Sequence, residues 1–466
     1  MTSEQGLPGP SARWEVFSGG RARTTAGLLL VITAVAFEGM GVATAMPAVM
    51  ADIGSLETYA WPFVAFTTAT VFATVLAGRW ADRSGPAGAI VVGVTTFTVG
   101  LVVAATAFTL TALLIGRVLQ GLGAGAATVA IFVLIAQAYP AGLRAAVLGW
   151  TASAWVVPSL LGPPIAAYIS QTWSWHWVFG GIAPLAALAL VMMARTLRAS
   201  ASTQVRPDRE PPPGRRWLLL AALGAAIGVA ALSWAGEDPG LSVLPVAVTA
   251  LVIVVPSVRY LVPRGTLRAS RGVGTTVLAR GMLAGTYFSM NAFLPLMLTT
   301  LYGWSLTSAG TTLIPGSLGW SLASAWQGGR PNLPRHRLLQ LGFVFLGVGV
   351  IGVMAVTVGV LNPWMTMAAQ AIAGLGMGLG MPSVLLLVMG HSAPENVGFN
   401  TSAAQILDGV SAATLIGVGG ALTAAMALQP GYLALLAGLV LLVTLGALLA
   451  PRAALATPSV AVDRDA

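Results

Sequence analysis

Apolar stretches of about 20 residues, the length that crosses a hydrocarbon core as helix, recur along this chain and are separated by short polar breaks. Six of them, centred near Ile32, Phe72, Thr98, Ala127, Val157 and Leu188, precede the first strongly polar break, a basic, Pro-rich segment from Arg195 to Arg216. Two shorter stretches, 217–235 and 241–262, follow and read as a hairpin whose turn is Gly236, Glu237, Asp238, Pro239, Gly240. Beyond a second basic segment, Pro263 to Arg271, six more stretches are centred near Tyr287, Ser317, Gly349, Gly376, Ile416 and Leu441. The pattern predicts an all-α polytopic membrane protein of 14 spans. Its six-helix bundles, 25–196 and 273–450, flank an inserted transmembrane hairpin, 217–262, with linkers at 197–216 and 263–272 and tails at 1–24 and 451–466. Internal sequence similarity is weak, so the two halves rest on spacing.

Charge orients the spans. Positively charged short loops stay cytoplasmic, and the Arg residues fall in alternate connections: Arg79 and Arg83, Arg144, Arg195 to Arg216, Arg259 to Arg271, and Arg330 to Arg337. The other connections carry acids, such as Asp52, Glu57, Glu237 and Asp238. With Arg452 and Arg464 after the last stretch, both termini are expected in the cytoplasm, which requires an even number of spans. The acidic turn of the hairpin matches the outer loops in sign and favours crossing over lying on the surface. The first apolar stretch follows a tail with Arg13, Arg21 and Arg23 but shows no small-residue cleavage site, so it reads as a span and not a removable leader.

Composition agrees. Of 466 residues, 56% are hydrophobic and only 8% charged, too little polar surface for a water-soluble globule of this length. Fifty-six Gly and 28 Pro would interrupt soluble helices but are common in membrane helices. The net charge of +9 sits in the loops, so it argues for membrane orientation and against nucleic acid as a partner. All 23 basic residues are Arg, a hint of a high-GC genome. With no Cys, only three His and no clustered polar triad, neither thiol chemistry nor a metal or cofactor site is expected, and a membrane-embedded enzyme is disfavoured.

Between the second and third stretches the chain reads Gly78-Arg79-Trp80-Ala81-Asp82-Arg83-Ser84-Gly85. The glycines permit a sharp turn, and the acid can accept from a helix N-terminus or pair with Arg; the plainer reading is a solvated loop. The fourth stretch contains Arg117-Val118-Leu119-Gln120-Gly121-Leu122-Gly123-Ala124-Gly125. Gly121 and Gly125 there make a small-residue packing face, while Arg117 carries a charge that costs on the order of 3 kcal/mol inside a membrane and needs a partner or a role. The fifth reads Pro158-Ser159-Leu160-Leu161-Gly162-Pro163-Pro164-Ile165-Ala166-Ala167, and the first holds Glu38, Ala45 and Pro47.

These segments resemble the signatures of the major facilitator superfamily, and together with the span count they resemble its 14-span drug:proton antiporter subfamily. The loop is similar to Gly-x-Leu-Ala-Asp-Arg-x-Gly-Arg-Arg/Lys, with Trp80 in place of Leu and Pro86-Ala87 in place of the basic pair. The resemblance implies that Gly78, Asp82, Arg83 and Gly85 act as a conformational latch between the halves. The fourth stretch matches Arg-x-x-Gln-Gly-x-Gly at each fixed position. The fifth resembles the antiporter signature Gly-x-x-x-Gly-Pro-x-x-Gly-Gly, with Pro158 for the first Gly and Ala166-Ala167 for the last pair, which makes Gly162 and Pro163 the expected kink; a kink with no transport direction implied is the alternative. In the first stretch Glu38 replaces the subfamily's Asp, while its usual Thr and Asn are missing. The eighth to twelfth stretches offer nothing as specific.

Glu38, Arg117, Arg280 and Asp408 are the ionisable residues well inside apolar stretches, and each is a functional candidate. At about 1.5 Å per residue, Glu38 lies roughly 20 Å from one membrane face and Arg117 about 10 Å from the other. In a core of roughly 30 Å these depths coincide, and both helices line the cavity of the resembled fold. A switchable Glu38–Arg117 pair is therefore expected, with a static pair as the alternative. Burial favours the neutral acid and the guanidinium favours the charged one, the balance that proton coupling requires. Asp408 shares a helix face with Gln405 and is either a second protonation site or a structural acid. Arg280 is close enough to the interface to snorkel. Tyr287, Phe288, Asn291 and Gln370 are candidates to stack on or orient a flat apolar ligand.

The expectation is a secondary transporter, monomeric, in a bacterial cell membrane, that exports small amphiphilic compounds against protons by alternating access. A facilitator or importer of the same fold and a lipid flippase are the rival readings.

Overall fold

The computed structural model of the chain describes residues 14–19, 21–202, 215–236, 244–330, 332–393 and 396–454. Each of the predicted apolar stretches is helical. In the first half these are α1 (Arg21–Ile53), α2 (Trp61–Ser84), α3 (Pro86–Ala105) and α4 (Leu110–Ala138), then the split pairs α5 (Ala141–Ser153) with α6 (Val156–Thr172) and α7 (His176–Gly180) with α8 (Ala183–Ser202). The hairpin is α9 (Arg215–Ala235) and α10 (Leu244–Leu261); its acidic turn, Glu237 and Asp238, lies outside the described residues. So do Arg13, Arg206, Arg209 and Arg464. The second half comprises α11 (Val273–Tyr302), α12 (Leu306–Thr311), α13 (Ile314–Gly328), α14 (Arg335–Thr357), α15 (Met365–His391), α16 (Val397–Met426) and α17 (Leu428–Leu449).

Among the described residues, 11 helical segments are long and apolar enough to cross a membrane, counting α5–α6 and α7–α8 as one each. The stretches outside that group are α10, which is apolar but short, α11, and the α12–α13 pair. Large apolar side chains such as Leu322, Val252, Leu441 and Leu448 are exposed on the outer surface, which suits hydrocarbon and not water.

Proline and glycine set the joints. Pro158 has no N–H to give to the Ala154 carbonyl four residues back, the chain turns at Ala154–Trp155, and the freed carbonyl accepts from Thr33 Oγ1 at 3.3 Å. The fifth span is interrupted here, while α6 continues as helix through Gly162, Pro163 and Pro164. Gly85 joins α2 to α3 at φ 72°, ψ 168°, a conformation open to glycine, and Pro86 then opens α3, where a missing N–H is harmless.

The two halves repeat one pairing scheme that the sequence expressed only as spacing. In the first half α1 packs on α6 and α8, α4 on α2 and α3, and α3 on α8. In the second, α11 packs on α16 and α17, α15 on α13 and α14, and α14 on α17. Helix α9 of the hairpin lies across the seam between halves, against both α2 and α16, with Ser233 over Gly417.

Candidate functional site

Burying a charge inside a helical bundle requires that its hydrogen-bonding capacity be met by neighbours, and the first half does so with one arginine. Arg117 of α4 is 2% exposed and ion-pairs with Glu38 of α1, which is fully buried. Its Nε donates to the Pro62 carbonyl of α2 at 3.0 Å, its Nη1 also donates to Gln120 Oε1, and its guanidinium carbon stands 4.4 Å from the centre of the Phe66 ring. Gln120, one turn after Arg117, donates through Nε2 to the Gly100 carbonyl of α3 at 3.1 Å. One guanidinium thus gathers α1, α2, α3 and α4. Gly121 and Gly125 bring α4 close enough to α2 for this: a Cβ at Gly121 would overlap the Phe66 carbonyl, and one at Gly125 would lie 2.5 Å from that of Thr70. Glu38 Oε2, buried as well, has no hydrogen-bond partner among the described residues.

The second half carries its own pair. Arg280 of α11 donates to Asp408 Oδ2 of α16 through Nη2 at 2.8 Å and Nε at 2.9 Å. Arg280 was expected to snorkel to the interface; instead its side chain is turned to a carboxylate within reach on the neighbouring helix. The two side chains are 17% and 20% exposed, and Asp408 Oδ1 is without a partner among the described residues. Gln405 is exposed and Asp408 half-buried.

The four candidate ligand contacts converge. Gln370 of α15 donates to Asn291 Oδ1 of α11, and Tyr287 packs edge-on against Phe288 and Trp320, with ring centres 5.8 and 5.6 Å away. Gly316 of α13 makes room for the cluster: a Cβ there would lie 2.7 Å from the Tyr287 hydroxyl and 3.2 Å from Gln370 Oε1. Tyr287 and Gln370 are buried, while Phe288 and Asn291 are half-buried. Trp320 was not singled out in the sequence, since an isolated Trp in an apolar run reads equally as an interfacial anchor.

In the loop motif, a Cβ at Gly78 would lie 3.8 Å from Val129 Cγ1, an ordinary contact, and Arg83 is exposed, whereas the Asp82 side chain lies outside the described residues. Trp80, at the position where the resembled pattern has Leu, lies over Gly88 across the turn. Gly162 faces Met40 and Gly41 of α1, and the Pro163 carbonyl faces Gly310 of α12, so this motif sits where the two halves meet. Contacts between halves run from the middle of the long helices to the end opposite the basic loops: Gly409 against Val71, Tyr59 donating to the Ala292 carbonyl at 2.8 Å, Gly420 against Ala60, and Gly310 against Thr44.

At that end Gln171, the penultimate residue of α6, caps a helix of the other half. The first N–H groups of a helix have no partner within it. Ser305 accepts from Ser308 N at 3.1 Å; with the Gln171 amide turned in the orientation that satisfies its neighbours, its oxygen accepts from Leu306 N at 2.6 Å and Thr307 N at 3.0 Å while its NH2 donates to Thr307 Oγ1 at 2.9 Å. A cleft of about 480 Å3 opens beside this contact, lined in part by Met50, Tyr59, Gln171, Leu296 and Leu306. Sequence reasoning passed over Gln171 because a lone amide at a helix end carries no pattern.

Residues 28–415 match the Major Facilitator Superfamily. The chain is similar to Multidrug resistance protein 3 of Bacillus subtilis (strain 168), with 27% identity over 360 residues covering 76% of this chain and 70% of that protein. It is similar to a probable multidrug-efflux transporter of Mycobacterium tuberculosis (strain CDC 1551 / Oshkosh), with 27% identity over 426 residues, 84% of this chain and 87% of that one. Against an MFS-type transporter of the same organism, 26% identical over 400 residues, it spans 56% of the relative's length. A solved POT family transporter in complex with 5-aminolevulinic acid shares its fold at a TM-score of 0.71, with 16% identity over 92% of this chain and 96% of that one.

Proposed function

The chain belongs to the Major Facilitator Superfamily, whose members it resembles are transporters and not enzymes, and from that premise we propose that it exports small amphiphilic compounds in exchange for protons. The observation that carries the proposal is the Glu38–Arg117 pair, a buried carboxylate with one oxygen unpartnered among the described residues and tied through its arginine to four helices. Protonating Glu38 removes its attraction for Arg117 and with it one of the ties holding α1 to α4. Charge state and helix packing are thereby coupled, which is what an antiporter must arrange. Asp408 with Arg280 is proposed as a second proton site in the other half.

The end bearing the basic loops is taken as cytoplasmic, which places both termini inside and lets the hairpin cross as two of 14 spans. In this orientation the contacts at Gln171, Tyr59 and Gly310 close the outer mouth, and the halves rock about a midplane cavity where Tyr287, Phe288, Asn291, Gln370 and Trp320 meet the substrate. Asp82 and Arg83 with Gly78 and Gly85 serve as the latch on the inner side. The membrane is that of a bacterial cell, and the functional unit is the monomer.

The test is a substrate-dependent pH change inside proteoliposomes, followed with an internal dye and a panel of lipophilic cations and neutral planar drugs. Antiport predicts a pH change that Glu38→Gln abolishes while the protein stays folded. Substrate movement without any pH change would make the protein a facilitator or flippase, and wild-type exchange by Glu38→Gln would remove Glu38 as the coupling acid.

A further inference from the structure

On the outer surface of the first half, at the end that carries the basic loops, a groove of about 470 Å3 runs between the first turns of α3 and the last turns of α8. Its walls are apolar, made by Val91 and Val92 on one side and Leu190, Ala194 and Leu197 on the other, and among the described residues Arg198 is its single charged lining residue. Gly88 lines it at the α3 side, and the Trp80 indole packs directly beside that glycine: a Cβ on Gly88 would lie 3.2 Å from Trp80 Cζ2 and 3.6 Å from its Nε1. Val91, Val92, Trp80 and Arg198 are all exposed, and among the described residues neither the Arg198 guanidinium nor the indole N–H has a hydrogen-bond partner.

The groove therefore presents an apolar trough ending in two unpartnered donors, one of them a permanent cation. An anionic lipid has the complementary form, since its phosphate takes the planar fork of an arginine, an indole donates at headgroup level, and its chain lies on valine and leucine. A headgroup that adds an ammonium would set a second cation against Arg198. Arg195, one turn earlier on α8, and Arg83 at the end of α2 are exposed at the same end and add to the positive field. We propose that this groove is a binding site for one anionic glycerophospholipid, its phosphate on Arg198 and Trp80 and an acyl chain along Val91, Leu190 and Ala194.

Native mass spectrometry of the full chain, titrated with phosphatidylglycerol and with phosphatidylcholine, tests this. One phosphatidylglycerol is expected to bind about fivefold more weakly to Arg198→Gln than to the wild type, the weight of one arginine at an anionic surface. Phosphatidylcholine should not distinguish the two proteins. Ala194→Phe, which fills the trough and leaves the charge, should lose the same adduct without a change in thermal unfolding of the lipid-free protein. Equal retention of phosphatidylglycerol by all three proteins would overturn the site. So would equal binding of the two lipids by the wild type, or protection against thermal unfolding by inorganic phosphate that matches phosphatidylglycerol, which would leave an ion site only.

Discussion

Among the described residues, each half of the molecule holds an arginine–carboxylate pair between two of its helices, Glu38–Arg117 and Arg280–Asp408, and the two are enclosed to different degrees. Arg117–Glu38 is sealed, with the arginine also serving Pro62, Gln120 and the Phe66 ring. Arg280–Asp408 has both side chains about one-fifth exposed, and the arginine gives two nitrogens to a single oxygen. Desolvation makes a sealed pair dependent on every partner, whereas water can substitute for part of an open one. In the proposed scheme the sealed pair couples its charge state to the packing of the first bundle, and the open pair is the secondary proton site.

The largest expected difference is in stability. Arg117→Ala leaves Glu38 as a buried charge without a partner and should cost about 3–5 kcal/mol, against about 2 kcal/mol for Arg280→Ala, the weight of a hydrogen bond to a charged group. Unfolding of the purified proteins in detergent measures both, and equal losses would erase the distinction between the pairs. A sharper version replaces each pair with neutral residues of similar size. Glu38→Gln with Arg117→Met should recover most of the stability lost in Arg117→Ala, since an apolar substitute for a buried pair is often neutral, while substrate-driven proton movement stays absent. Recovery of exchange in that double variant would show that the pair is structural.

Asp408→Asn is expected to retain coupled exchange but with its pH dependence displaced, because the open site is secondary in this scheme; complete loss of proton movement, with Glu38→Gln still active, would reverse the two roles. The smallest effect belongs to the outer closure. Gln171→Ala removes the amide that caps α12 and should weaken the closed outer mouth by about 1 kcal/mol, hence about fivefold in the ratio of closed to open molecules. The chain has no Cys, so a single cysteine placed at Leu296, half-buried in the wall of the cleft, would report this as faster thiol labelling.

The chain itself determined its helices, because each stretch of about 20 apolar residues has no stable alternative in a bilayer. It also determined the depth match of Glu38 and Arg117, since rise per residue converts sequence position into depth. Other features were undetermined until the helices were packed. The partner of Arg280 depends on which helices are neighbours, and Asp408 lies 128 positions away. The break at Ala154 is not legible in the order of residues, because three prolines stand in one span and the Thr33 hydroxyl that donates to the freed carbonyl comes from α1. Gln171 and Trp320 gained their partners across helices, where no spacing rule reaches. Local physics is written in the order of residues; which helix faces which is settled only when glycines such as Gly121 and Gly316 let particular surfaces approach.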